Sequence, residues 1–274
     1  MKILLLSLLL TSCMNPEKVI EDKQIEFATN YKDNFVTYQS SGRDMRFAWS
    51  GDSTKRPLLF IHGSPGSYKA WAQFLVDKKL QSEFHIIAVD RPGYGGSGQT
   101  SELSVQKQAD EISEALKFNK SGLKAIAIGH SYGGPVIARL AMDHPDKIGG
   151  LIFVAGALDP EFEDIKWYQY LATWKIFKWL VPNNLVVCNE EVMSLKSELD
   201  QMMPLWSSVK TPAVIIQGDE DPLVMPGNLK FLKDKLTNSK VVTANMTPGL
   251  NHFVPWKRPD LIYDGIENLK PYLQ

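Results

Sequence analysis

At 274 residues, with 44% hydrophobic and 22% charged side chains, the chain can bury one sizeable core in a single globular domain. Its 30 basic and 31 acidic residues leave a net charge of −1 with no basic cluster, which excludes the electrostatic footprint of a nucleic-acid binder. Its two cysteines, Cys13 and Cys188, are too few for a zinc site, and with no dinucleotide fingerprint, P-loop, repeat or low-complexity segment, no metal or cofactor is expected.

In chain order, Met1-Lys2 precedes the apolar run Ile3–Leu10 and then Thr11-Ser12-Cys13. The run falls far short of the ~20 apolar residues of a membrane-spanning helix but fits the core of a secretory signal. Leu10-Thr11-Ser12-Cys13 resembles a bacterial lipobox, whose cysteine becomes the lipidated first residue of the mature chain. On that reading residues 1–12 are a signal peptide and 13–34 a lipidated N-terminus and polar tether. The protein would then be an exported lipoprotein at a cell-envelope membrane surface. The alternatives are an ordinary signal cleaved nearby, or a frayed apolar terminus.

Phe35–Tyr38 and Met45–Trp49 flank the turn-rich Ser40–Asp44 and predict an antiparallel hairpin. Further β-type runs follow at Leu58–Ile61, Phe84–Val89, Lys124–Ile128, Leu151–Val154, Ala213–Gln217 and Lys240–Thr243. Helix-patterned segments separate most of them, notably Val105–Phe118 with Ile112, Ala115 and Leu116 on one face. The alternation predicts the α/β class: a mainly parallel central sheet flanked by helices, with the hairpin extending one edge. Residues 157–208, after the sixth strand, interrupt it and divide the core into 35–156 and 209–274. Trp167, Tyr168, Tyr170, Trp174, Phe177, Trp179 and Trp206 crowd this insertion, several at helical spacing. The rings either form the insertion's own core and seam or line a pocket for an acyl or aromatic group.

Gly129-His130-Ser131-Tyr132-Gly133 joins the apolar run Lys124–Ile128 to the helix-patterned Pro135–Met142. A strand entering a helix through G-x-S-x-G forces a strained turn that lifts the serine hydroxyl out of the core, while Gly129 and Gly133 let the two elements pass closely. Such a hydroxyl needs a base. Of the five histidines, His62 and His130 sit in tight glycine turns, His85 opens a strand and His144 ends a helix. His252, on a late loop, remains. The third partner must be a buried carboxylate. Asp221, followed by Pro222 and an apolar pair, fits better than Asp219 or Glu220, which read as turn-capping acids.

The order Ser131…Asp221…His252, together with Leu58–Gly66, Asp90–Gly98 and the histidine loop, resembles the α/β-hydrolases. That group includes carboxylesterases, proline iminopeptidases, C–C bond hydrolases, haloalkane dehalogenases and epoxide hydrolases. The resemblance covers roughly residues 35 to 272 apart from the insertion, which corresponds to a helical cap over the active site. It implies an oxyanion hole from the backbone N–H groups of Ser64 and Tyr132, supported by His62, Gly63, Gly129, His130 and Gly133. It also suggests that Arg91 holds the glycine-rich loop.

Dehalogenases and epoxide hydrolases place an aspartate where this chain has Ser131, so carbonyl chemistry is expected instead. The leading expectation is a serine esterase acting on a small-molecule carboxylic ester or related carbonyl substrate, joined to a membrane through its lipid anchor. Proline iminopeptidase-like activity is an alternative, with Glu161, Glu163 or Glu190 receiving an ammonium, although those peptidases usually carry Gly-Gly-Ser-Trp-Gly at this turn. C–C bond hydrolase, lactonase, thioesterase and perhydrolase activities suit the same triad, and a ligand-binding module on a hydrolase fold is the non-enzymatic reading.

Overall fold

The computed structural model describes residues 21–163, 182–239 and 242–273. In chain order they form α1 (Glu21–Asn30), β1 (Phe35–Ser40), β2 (Arg43–Gly51), β3 (Pro57–Ile61), α2 (Ala72–Leu75), α3 (Lys78–Glu83), β4 (His85–Asp90), α4 (Val105–Ser113), β5 (Ala125–His130), α5 (Gly133–Asp143), β6 (Ile148–Val154), α6 (Asn183–Met202), β7 (Ala213–Gly218), α7 (Gly227–Lys235), β8 (Val242–Thr247), α8 (Val254–Lys257) and α9 (Asp260–Leu269). The strands make one sheet in the order β1-β2-β4-β3-β5-β6-β7-β8. Strands β3 to β8 run parallel, and β2 is antiparallel to both its neighbours, so the N-terminal hairpin extends one edge.

Every residue of β3, β4, β5 and β7 is buried, which explains why these strands read as unbroken apolar runs rather than alternating ones. The period of two survives in which layer each side chain enters. Leu59 and Ile61 join a core with Val136 and Ile137 of α5, whereas Leu58 and Phe60 join the opposite core with Phe74 of α2 and Ile262 of α9. The helices therefore cover both faces.

Two boundaries differ from the sequence reading. The segment expected to be a polar tether contains α1, whose Phe27 is fully buried and packs on Tyr31, Phe35 and Tyr68. Phe27 is the one buried side chain of that helix. Strand β8 runs on to Thr247, past the expected end at Thr243, because its pairing with β7 continues to Gly218↔Thr247, while Lys240 and Val241 lie outside the described residues. Cys13 and the signal-like run lie outside the described residues, as do Trp167, Tyr168, Tyr170, Trp174, Phe177 and Trp179 of the insertion.

The described part of the insertion is joined closely to the sheet. Leu195, Leu199 and Met202 of α6, with Trp206, enter the core shared with α5. Trp206 also meets Phe231 of α7 edge-on at 5.8 Å, so this ring belongs to the seam. At the insertion's start, the Asn228 side chain accepts the backbone N–H groups of Leu158 and Asp159 (2.7 and 2.8 Å) and donates to the Met225 carbonyl. Asn228→Leu strands those donors, and a loss of about 2–3 kcal/mol is expected, read as a lower urea midpoint.

Candidate active site

Strand β4 lies on one side of β3 and β5 on the other, so the winding of the chain reverses at the β3/β5 pair. In open α/β sheets this reversal leaves a crevice outside the C-terminal strand ends. Four segments singled out in the sequence leave the sheet at that edge: His62–Ser64 after β3, Ser131 after β5, Asp221 after β7 and His252 after β8.

Ser131 adopts φ +54°, a left-handed conformation that few side-chain-bearing residues tolerate. Hydrogen bonds hold it there: its N–H donates to Val154 O (3.0 Å), and its carbonyl accepts from Gly134 N (2.9 Å). Space explains the flanking glycines. A Cβ on Gly129 would stand 2.3 Å from Gly133 O, and one on Gly133 would stand 2.4 Å from Ile61 O. The Ser131 hydroxyl is half-buried and has no hydrogen-bond partner among the described residues.

The predicted base and acid meet. His252 Nδ1 lies 2.8 Å from Asp221 Oδ2, and both residues are buried. Burial opposes charge on Asp221, but hydrogen bonds from His252 and from the Val224 and Leu223 N–H groups outweigh it and hold the carboxyl below its ordinary 3.8. An ionised carboxylate only accepts, so His252 Nδ1 carries the proton and Nε2 the lone pair. Asp219 instead caps the turn, accepting Gly249 N–H at 2.7 Å. The two acids thus face different partners, Asp221 an imidazole and Asp219 the backbone.

His130 does more than fill a turn. Its Nε2 lies 3.0 Å from the His252 carbonyl, and the two rings are 4.7 Å apart, so the residue preceding Ser131 holds the histidine loop beside it. Burial, together with the nearby His252, lowers the His130 pKa to about 3, so the ring is neutral and donates through Nε2.

On the other side, the turn after β3 presses against the serine: a Cβ on Gly63 would stand 2.9 Å from Ser131 Cβ. The N–H groups of Ser64 and Tyr132 have no backbone acceptor among the described residues, and Tyr132 stands at the N-terminus of α5. Uncommitted donors at the positive end of a helix suit an anion. His62 donates from Nδ1 to Gly63 O (2.6 Å) and accepts Arg91 N–H at Nε2 (3.0 Å), which fixes one tautomer. Burial, with Arg91 nearby, holds its pKa well below 6.5.

Arg91 meets the glycine-rich loop, with its guanidinium carbon 5.0 Å from the centroid of the Tyr94 ring, but its reach is wider than that loop. Its Nε donates to His62 O (2.9 Å) and its Nη2 to Gly63 O (3.0 Å), so it clamps the turn after β3. The glycine-rich loop is held by Asp90, which accepts Gly96 N–H at 2.8 Å and also binds Tyr68 N–H and Arg46. An arginine reaches farther than an aspartate, so Arg91 serves the β3 turn as well.

A family model described as the alpha/beta hydrolase fold matches residues 56–175. Among solved structures, an alpha/beta hydrolase from a Medee basin deep-sea metagenome library superposes with a TM-score of 0.70 at 18% identity, covering 85% of this chain and 96% of that one. The fold is that of the α/β-hydrolases. A pimeloyl-[acyl-carrier protein] methyl ester esterase from Photorhabdus laumondii is 32% identical over 111 residues, 40% of each chain. Epoxide hydrolase 1 from Caenorhabditis elegans is 24% identical over 183 residues, 65% of this chain and 43% of that protein. The chain thus spans about two-fifths of the length of these curated relatives.

Within this α/β-hydrolase fold, sequence reasoning missed Glu191 and Gln108. Both are fully buried and bind Arg91, Glu191 at 2.5 and 3.0 Å and Gln108 at 3.0 Å. A signal existed: Glu191 falls in the apolar stripe Val187-Glu191-Leu195-Leu199 at four-residue spacing, and a lone carboxylate there needs a buried partner.

Two predictions follow from this packing. Gly129→Ala is expected to cost about 1–3 kcal/mol through overpacking, seen as a reduced urea midpoint together with weakened activity. The second concerns acid. His62, His130 and His85 are all held below 6.5, His85 to about 4, with burial the leading cause. Below 6.5 the unfolded chain binds protons that the folded chain refuses, so stability falls as pH drops from 6.5 toward 4 and below. Asp221, with its lowered pKa, adds a further loss at still lower pH, as its carboxylate protonates. Urea midpoints measured across pH will show this decline, and His85→Gln, away from the crevice, will flatten it.

Proposed function

We propose that the protein is a serine hydrolase that cleaves a carboxylic ester, or a related carbonyl substrate, through an acyl-enzyme on Ser131. The observation that carries this reading is the buried His252–Asp221 pair at 2.8 Å, held beside a serine on a positive-φ turn. His252 Nε2 takes the hydroxyl proton as the Ser131 oxygen attacks the carbonyl carbon, and Asp221 stabilises the imidazolium. Ser131 Oγ and His252 are not hydrogen-bonded here, and bonds of this kind are often long before substrate is present. The backbone N–H groups of Ser64 and Tyr132 receive the oxyanion, each worth roughly 10²–10³ in rate. His252 then protonates the leaving alcohol, and water repeats the cycle on the acyl-enzyme.

Serine at 131 speaks against epoxide opening, despite the epoxide hydrolases among the relatives, because displacement at a saturated carbon calls for a carboxylate nucleophile. Of the three acids that the peptidase reading would use, Glu190 accepts the Ser101 hydroxyl at 2.7 Å.

A fluorophosphonate probe is expected to label the wild type and not Ser131→Ala; absence of label from both would favour a binding module. Asp221→Asn is expected to lower kcat by about 10⁴-fold. A preference for proline aryl amides over p-nitrophenyl esters would overturn the ester assignment.

The same proposal places the enzyme at a cell-envelope membrane through acylated Cys13, supported by the run Ile3–Leu10 and the lipobox-like Leu10–Cys13. Several acyl chains on one cysteine hold far better than the marginal grip of a single one. Cys13→Ala is expected to leave the membrane fraction; unchanged partitioning would refute the anchor.

A further inference from the structure

A buried ion pair is weak support for stability, since desolvation of the two charges offsets much of their attraction. Arg91 and Glu191 are nevertheless both fully buried, with Nη1–Oε1 at 2.5 Å and Nη2–Oε2 at 3.0 Å. An apolar pair of similar volume would fill the seam between α6 and the sheet but leave the hydroxyls and carbonyls around it without those partners. What the charged pair adds is direction.

The remaining donors of Arg91 show where that direction goes. Its Nε and Nη2 hold the His62 and Gly63 carbonyls. The Gly63 carbonyl and the Ser64 N–H belong to one peptide unit, and across a planar trans peptide they point opposite ways. Fixing Gly63 O on the guanidinium therefore aims the Ser64 N–H away from it, in a turn whose Gly63 abuts Ser131. The Ser64 hydroxyl donates to Glu191 Oε2 at 2.6 Å, and Tyr94 OH donates to the same oxygen at 2.8 Å. The Tyr132 ring lies against the guanidinium, 4.5 Å from its carbon to the ring centroid. Both residues whose N–H groups would bind the oxyanion thus rest on one ion pair, and its carboxylate comes from the inserted helix α6.

We propose that Glu191 is a positioning residue for the oxyanion hole: through Arg91 and Ser64 it orients the peptide whose N–H receives the developing charge. The inserted segment thereby completes the hole as well as lying against the sheet. This rests on the serine-hydrolase reading. It assigns to Glu191 an effect on the chemical step, not on substrate affinity.

The test compares the wild type, Glu191→Gln and the paired replacement Arg91→Met/Glu191→Leu by p-nitrophenyl ester kinetics, rate of fluorophosphonate labelling and thermal unfolding. The paired replacement is expected to fold with a lower Tm, because the groups that the pair binds lose their partners, while kcat and the labelling rate fall by about 10²-fold, the scale of an ångström-sized misplacement, with KM unchanged. Glu191→Gln, isosteric but uncharged, is expected to fall about 10-fold, a part of that effect. A folded paired variant with wild-type kcat overturns the proposal, and so does a loss confined to KM. Should the pair fail to fold, Glu191→Gln decides alone: wild-type kcat in that variant overturns it, and a lowered kcat at wild-type Tm supports it. A wild type that neither labels nor hydrolyses esters sinks the hydrolase reading itself, a result distinguishable from an active wild type with active variants.

Discussion

The structure depends on how closely two turns approach where the winding of the sheet reverses. Strands β3 and β5 are neighbours, and the turns leaving them are pressed together with no room for a side chain at Gly63, Gly129 or Gly133. That compression holds Ser131 at its positive φ and brings the β3 turn against its side chain. Strain at such a point persists only where the surroundings over-determine it. Here the hydrogen bonds to Val154 and Gly134, and fully buried strands on either side, supply that determination.

Three buried carboxylates organise the loops around this point, and each is matched to a different kind of donor. Asp90 takes backbone N–H groups of two loops along with Arg46, so it fixes chain paths. Asp221 takes the backbone N–H groups of Leu223 and Val224 on one oxygen and His252 on the other, so it fixes a ring and its tautomer. Glu191 takes a guanidinium and two hydroxyls, and through them it fixes a peptide plane. A carboxylate removed from water demands several donors at once. That demand lets each acid gather segments distant in sequence.

The same logic sets the histidines apart. His62 and His130 are buried, neutral and locked by hydrogen bonds on the backbone, and they act as rigid struts. His252 has its Nδ1 committed to Asp221, so its other nitrogen is the one free for proton transfer. Three imidazoles close together thus have different duties because of their partners, not their residue type.

The sequence by itself determined the layered α/β architecture, because alternation of apolar runs with helical patterns leaves few ways to bury both faces of a sheet. It also singled out Ser131, Asp221 and His252 as candidates, since the glycine spacing around the serine and the rigid, apolar surroundings of Asp221 are local signals. Docking of α1 through Phe27, the reach of Arg91 to the β3 turn and the partnership with Glu191 were decided only by tertiary structure. These depend on contacts between residues as much as 100 positions apart. A side chain's local pattern can show that it is buried, as the stripe through Glu191 does. Which partner meets it there depends on how the strands are ordered in the sheet, and that order is fixed only when the whole core packs.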